Sequence, residues 1–312
     1  MGQFYLFIAL ILFLSQSSVL NAQLCNGYSE LCGRSYAAIA YPGTHNSFSY
    51  SPIPLPAENQ FQPIDKQLQA GIRSFMLDGH NPPPHSENPD GIHLCHTSCA
   101  LLNAGDSVKT LTLIANFLKN NPGEVITIIW ENFDSLPSSK YQAAYQAAGL
   151  DVLSYVQPDG QQQWPTLQEL IDMNKRCISF IDHIDALDVP WLLPQWTYMI
   201  DTPYNATDPS GWKCVVDRPA GGTVDNIALI NINNFLNKEL APGLDVPHPV
   251  GASQTNGPLL QQHLDQCTTA FGRIPNFISV DFASKGDLYA IVAKLNGLQP
   301  TTKRTVRRRH HL

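Results

Sequence analysis

Four short stretches of this chain run from apolar residues into a single polar side chain, and their order constrains the fold more than any other feature. Tyr-Pro-Gly-Thr at 41–44 leads into His45, Ile-Arg-Ser-Phe-Met-Leu at 72–77 into Asp78, Ile-His-Leu-Cys at 92–95 into His96, and Val-Ile-Thr-Ile-Ile-Trp at 125–130 into Glu131. Read as β-strands, they deliver His45, Asp78, His96 and Glu131 at the C-terminal ends of four successive strands, where a (β/α)8 barrel assembles its chemistry. Side chains alternate along a strand, so an inward Asp78 shares its face with Met76 and Ser74. Glu131 likewise shares a face with Ile129, His96 with Leu94, and Asp281 with Ser279. A buried carboxylate without a partner is costly, so Asp78, Glu131 and Asp281 must be paired, metal-bound or open to solvent.

Short apolar runs alternate with amphipathic stretches from residue 36 onward, the pattern of parallel strands joined by helices. The expected strands are 36–42, 72–78, 92–95, 124–130, 177–182, 196–200, 226–232 and 276–281, and the expected helices include 105–120, 138–148, 166–174 and 285–296. Asp106 or Ser107 caps the first helix, and Asn121-Pro122-Gly123 stops it. The fold class is α/β, a (β/α)8 TIM barrel in a single domain over residues 23–300. A doubly wound open sheet would carry a glycine-rich phosphate loop, and neither G-x-G-x-x-G nor G-x4-G-K-[ST] occurs.

Residues 4–14 are an unbroken apolar run at the N-terminus, too short for a membrane span of roughly 20 residues. With the small and polar residues after it, the run reads as a secretory signal peptide over 1–22, cleaved near Ala22. Seven cysteines fit an exported, oxidising setting. Cys25 and Cys32 are near enough to clip the N-terminus, Cys95 and Cys99 to lock the loop carrying His96, and Cys214 and Cys267 to join two later loops; Cys177 reads as a buried free thiol. Six cysteines allow about 15 pairings, so connectivity stays open. Asn205-Ala-Thr207 is a glycosylation sequon. The net charge is −7, and the tail over 301–312 contributes +5, leaving an acidic body that argues against nucleic acid as a partner. The tail is either a solvated terminus or a point of transient contact with anionic lipid.

Two histidines near neutral pH suit proton transfer at a phosphate ester, since imidazole accepts and imidazolium donates. Asp78, Glu131 and the Asn46 amide offer oxygen to a hard divalent cation. Asp281, at the end of the eighth strand, lies next to the first strand in a closed barrel and can orient the His45 imidazole. His93 falls one residue off the inward row and is expected to face the outer helices, while His80 reaches the pocket mouth. His183, His248 and His263 read as surface or packing residues. No Gly-x-Ser-x-Gly elbow supports Ser47 as a nucleophile.

Six segments, PGTHNSF at 42–48, AGIRSFMLDGH at 70–80, IHLCH at 92–96, NPGEVITIIWEN at 121–132, YMIDTPYN at 198–205 and PNFISVDF at 275–282, together resemble the phosphatidylinositol-specific phospholipase C superfamily. The chain is most similar to its secreted plant and fungal phosphodiesterases. The resemblance implies that His45 deprotonates an attacking inositol 2-hydroxyl and that His96 protonates the leaving alcohol, so that a cyclic phosphate forms first. Calcium-dependent members use an Asn after the first histidine, an acid-x-acid pair and a Glu. Asn46, Asp78 and Glu131 match, but Met76 replaces the first acid, and the arginine that metal-independent bacterial members carry in place of Asp78 is missing too. The implied cofactor is Ca2+ or another divalent cation, and the implied partner a phospholipid or other phosphodiester. Met76 also motivates an alternative, a PLC-like barrel without turnover that binds a ligand or a surface.

Overall fold

Runs such as Ile-Thr-Ile-Ile-Trp-Glu and Cys-Ile-Ser-Phe-Ile are apolar on both sides because a parallel strand in a barrel is covered on both faces, by opposite strands within and by helices without. The computed structural model describes residues 23–158, 160–184 and 188–300. The expected signal peptide at 1–22 and basic tail at 301–312 lie outside these residues. The strands are β1 Tyr41–Thr44, β2 Ser74–His80, β3 His93–Cys95, β4 Asn103–Asp106, β5 Ile126–Glu131, β6 Cys177–Ile181, β7 Leu192–Pro194, β8 Met199–Asp201, β9 Leu229–Asn234, β10 Asn237–Ala241, β11 Leu244–Pro247 and β12 Phe277–Val280. The helices are α1 Ile64–Ala70, α2 Ser107–Asn120, α3 Ser138–Ala148, α4 Leu167–Asp172, α5 Gln195–Tyr198, α6 Ala252–Thr255, α7 Pro258–Phe271 and α8 Leu288–Leu295.

Eight strands pair in parallel in the order β7-β6-β5-β2-β1-β12-β9-β8, so the first strand closes onto the last as a (β/α)8 barrel requires. No ladder joins β7 to β8 among the described residues, which leaves one seam between them. Several expected strands need correction. The one at 36–42 opens as a helical turn, Tyr36–Ala38, with the strand itself at Tyr41–Thr44, and the one at 196–200 is mostly α5, with β8 starting only at Met199. The stretch at 92–95 is not a barrel strand: β3 turns back antiparallel on the end of β2, pairing Gly79 with Leu94 and His80 with His93, and β4 extends this ribbon. The missing barrel strand is β7, a Leu-Leu-Pro segment paired in parallel with β6. Three residues are too few to show a period, and a four-residue apolar run looks alike in a ribbon and a barrel.

Tyr41, Ile129, Phe180, Met199, Leu229 and Phe277 come from six different barrel strands and pack in one cluster with Tyr36 and Trp164, the barrel's interior. Phe75, Leu77, Ile128 and Trp130 alternate with these and pack outward against α2 and α3 through Leu111, Ile114, Tyr141 and Tyr145. The period of two therefore holds through β2 and β5, with Met76 in the interior cluster below Asp78. Asp106 caps α2 by accepting a hydrogen bond from the Val108 amide. Three disulfides form, Cys25–Cys32, Cys95–Cys99 and Cys214–Cys267, and Cys177 is free and buried, its thiol pushed up to about 12 by burial. No helix among the described residues is long and apolar enough to cross a membrane.

His263 on α7 is a packing residue with a consequence for acid stability. Its ring stacks on Trp212, its Nδ1 lies 2.9 Å from Asn234 Oδ1, and burial pushes its pKa down to about 4. A histidine with a depressed folded pKa favours the fold while neutral and costs stability once the unfolded chain can protonate and the folded one cannot. The loss therefore opens as pH falls below about 6.5 and reaches on the order of 3 kcal/mol near pH 4. Urea midpoints of wild type and His263→Gln at pH 7 and pH 4.5 are expected to show the variant losing less stability on acidification.

Candidate active site

The residue after each of four candidate groups turns sharply out of its strand direction. Asn46 after His45, Thr97 after His96, His183 after Asp182 and Phe282 after Asp281 all have left-handed backbones, with φ of 41°, 59°, 43° and 51°. For a β-branched Thr and a bulky Phe this conformation costs of order 1 kcal/mol or more, and such strain collects where a fold must aim side chains. All four sit at one end of the barrel, beyond the C-terminal ends of its strands or on the ribbon beside them.

His45 continues β1, its amide donating to the Val280 carbonyl at 3.0 Å. Its Nδ1 stands 3.0 Å from Asp281 Oδ1, and its ring lies parallel to Phe235 with centroids 3.7 Å apart. A carboxylate cannot face a ring lone pair at that distance, so Nδ1 carries the proton and donates it to Asp281. Nε2 is left unprotonated in the neutral ring. His96 follows β3, in a loop closed by the Cys95–Cys99 bond and by its own amide on Leu102 O at 3.1 Å. Its Nδ1 donates to the Ala57 carbonyl at 2.6 Å, which again leaves Nε2 free. Burial lowers the His96 pKa, the Ala57 carbonyl opposes that, and the charges of His45 and Asp281 both act on it. The two imidazoles and Asp281 thus share one electrostatic neighbourhood.

Asp78 and Glu131 form the last pair of the parallel ladder between β2 and β5. Asp78 is 4% exposed, and its carboxyl is raised well above the usual range by burial, then by Glu131 and Asp182. Glu131 is raised by burial and by Asp182, and lowered by His45 and Arg218. Asp182, which sequence reasoning passed over, takes the Asn132 amide at 2.7 Å and His183 Nδ1 at 2.8 Å. His183, expected as a surface or packing residue, is exposed, and its ring stands against Asp182 at the barrel mouth. Arg218 was also missed. It pairs with Asp201, packs over Trp196 and Tyr204, and is the guanidinium whose field reaches Glu131 and Asp182. His80 is buried beside Phe133 with Nδ1 3.6 Å from Asp134, and His93 bonds Asn103 within the ribbon instead of facing the outer helices.

The chemistry of this second group fits a hard cation. With its nitrogen turned toward them, the Asn46 amide donates to the two Asp78 oxygens at 2.8 and 3.1 Å; in the opposite orientation its oxygen would offer a hard cation a further donor beside theirs. Met76, a thioether packed in the interior, adds no side-chain oxygen, while its carbonyl accepts from the Ser47 amide. The one trio of His, Cys, Asp or Glu atoms within 4.8 Å among the described residues, Cys214, His263 and Cys267, has both sulfurs in a disulfide.

Gly79 lets this end of the barrel close. A Cβ there would stand 2.5 Å from the Tyr141 hydroxyl, which is buried and donates to Asn132 Oδ1 at 2.9 Å. Gly79→Ala is expected to cost about 1–3 kcal/mol by overpacking and to disturb the turn after Glu131, read by thermal melting.

The PI-PLC X family model matches residues 31–296. PI-PLC X domain-containing protein 1 of Arthroderma benhamiae is 34% identical over 284 residues, covering 88% of this chain and 90% of that protein. A second A. benhamiae protein, named an uncharacterized secreted protein, is 32% identical over 295 residues, 89% of this chain and 65% of its own length. Among solved structures, phosphatidylinositol-specific phospholipase C from Listeria monocytogenes superposes with a TM-score of 0.58 at 17% identity, covering 85% of this chain and 94% of that one. The Staphylococcus aureus enzyme gives 0.59 at 16%, covering 86% and 95%, and these two likenesses speak to the fold.

Proposed function

The chain belongs to the PI-PLC X domain family, and from that premise we propose that it is a secreted phosphodiesterase that cleaves an inositol-type phospholipid or a related phosphodiester by paired histidine acid–base catalysis. The observation that carries the reading is the matched tethering of the imidazoles: each Nδ1 is held by an acceptor, Asp281 for His45 and Ala57 O for His96, and each Nε2 is left to act.

His45 Nε2 takes the proton of the attacking hydroxyl, and Asp281 stabilises the imidazolium that results. With an inositol 2-hydroxyl as that nucleophile, attack is intramolecular, which removes much of the entropic barrier. The phosphorus–oxygen bond to diacylglycerol breaks as protonated His96 gives its Nε2 proton to the leaving oxygen. Burial weakens the hold of His96 on that proton, which makes it a stronger acid for an alkoxide. Asn46, Asp78 and Glu131 would hold Ca2+ or a similar ion. Bound there, the ion supplies positive charge to the phosphoryl oxygens.

The three disulfides accord with an extracellular setting, as does the name of one relative. A lipid substrate brings transient contact with a membrane surface. The second reading, a barrel that binds without turnover, draws on Met76. Purified protein assayed on phosphatidylinositol vesicles with and without EDTA decides between them: water-soluble inositol phosphate is expected, and binding without release of product would support the alternative.

A general acid works while protonated, and a lowered pKa moves its loss of function to lower pH. The alkaline limb of kcat/KM is therefore expected to begin below about 6.5, the ordinary histidine value, in a pH–rate profile.

A further inference from the structure

The segment from Ser49 to Gln60 reaches both imidazoles. Ala57 O accepts from His96 Nδ1 at 2.6 Å and from Ser49 Oγ at 2.8 Å. The Asn59 amide returns to Ser49 O at 2.9 Å, and the Asn59 carbonyl accepts from the Phe282 amide at 2.7 Å. Gln60 Nε2 donates to the His45 and Val280 carbonyls at 2.8 and 3.0 Å, and its Oε1 accepts from the Ala283 amide at 3.1 Å. This strap ties the turn after His45 to the turn after Asp281.

Asn59 stands at its centre, fully buried. Its Nδ2 donates to Asp281 Oδ1 at 3.0 Å, the same oxygen that accepts from His45 Nδ1 at 3.0 Å, and lies 3.3 Å from that ring nitrogen. Asp281 Oδ2 and Asn59 Oδ1 are both buried without a partner, so the amide and the imidazole are the two donors that hold this carboxylate. We infer that Asn59 is a positioning residue: it fixes the plane of the Asp281 carboxylate and so sets the orientation of the His45 imidazole. The role rests on the proposed function of His45 as the base. Loss of Asn59 leaves a buried carboxylate with one donor and freedom to turn, and the imidazole turns with it.

The test is a double-substitution cycle on the full-length secreted protein with phosphatidylinositol, using Asn59→Leu, which keeps the shape and removes the donor, and Asp281→Asn. Asn59→Leu is expected to lower kcat about tenfold with KM within about twofold, and to have less than about a twofold further effect when Asp281 is already Asn, because neighbours acting through one group are not additive. Asn59→Ser, which restores a donor, is expected to recover part of kcat. Histidine-ring NMR provides a readout that needs no turnover: in Asn59→Leu the His45 Nδ1 proton resonance moves while that of His263 stays. An inactive wild type would sink the functional reading and leave the NMR arm to decide. An unmoved His45 resonance in a variant that melts normally, or an equal loss of kcat in both backgrounds, would overturn the role of Asn59.

Discussion

Replacing either His45 or His96 with alanine is expected to lower kcat on a phosphodiester by about 10²–10⁴-fold, the usual worth of a positioned proton donor or acceptor. The two losses should differ in form. His45→Ala removes the base together with its link to Asp281, so its acidic pH limb disappears. His96→Ala removes the acid, so the alkaline limb goes, and substrates with better leaving groups, whose oxygen needs no proton, should recover activity in this variant alone. KM should change little in either, because both groups act on charge that develops during the reaction. Stopped assays on phosphatidylinositol and on an aryl phosphodiester separate these effects. Activity unaffected by both substitutions would remove the mechanism.

The second large effect concerns Asp78, whose two consequences have opposite sign. Without a cation the buried carboxyl is raised by burial and by Glu131 and Asp182, so the folded state resists its ionisation. A carboxyl with a raised folded pKa favours the fold at acid pH and costs stability as pH rises through that value. Asp78→Asn is therefore expected to stabilise the protein at pH 7 in EDTA, by about 1–3 kcal/mol, and to give no gain near pH 4. In saturating Ca2+ the order reverses: wild type gains about 2.7 kcal/mol at 100 times the dissociation constant, the variant gains little, and its turnover falls by about 10²–10³-fold. Melting curves at two pH values, with EDTA and with Ca2+, read both signs. A Ca2+ shift retained in full by Asp78→Asn would remove this carboxylate from the cation site.

What the sequence made legible is the part of the fold that repeats. The apolar runs leading into His45, Asp78, Glu131 and Asp281 are strands, with those residues at or just past the end of the parallel ladder, because alternation over four to seven positions identifies an inward row. Ser138–Ala148 shows its full extent for a similar reason, being bounded by Pro137 and the left-handed Gly149. The stretch before His96 misled because it is the side chain's destination, and not the strand's sheet, that the motif preserves: the ribbon of β3 brings the imidazole to the barrel mouth from outside the barrel ladder. Leu192–Pro194 is too short to announce itself. Asn59, Ala57, Phe235 and Arg218 were invisible for a different reason. They act across long separations, one of them through a main-chain carbonyl, and no local pattern marks a loop residue that will meet a histidine 39 positions away. Asp182 stood at the end of an expected strand and lacked any neighbouring motif to single it out.

The central claim is that the Nε2 atoms of His45 and His96 serve one phosphorus. Its most direct test is 31P NMR of the purified protein with phosphatidylinositol, followed from the first minutes. A cyclic inositol phosphate signal that precedes any acyclic monophosphate, and that is lost in both His45→Ala and His96→Ala, is the predicted result. Acyclic phosphate appearing first, or cyclic product persisting at the wild-type rate in either variant, would contradict it.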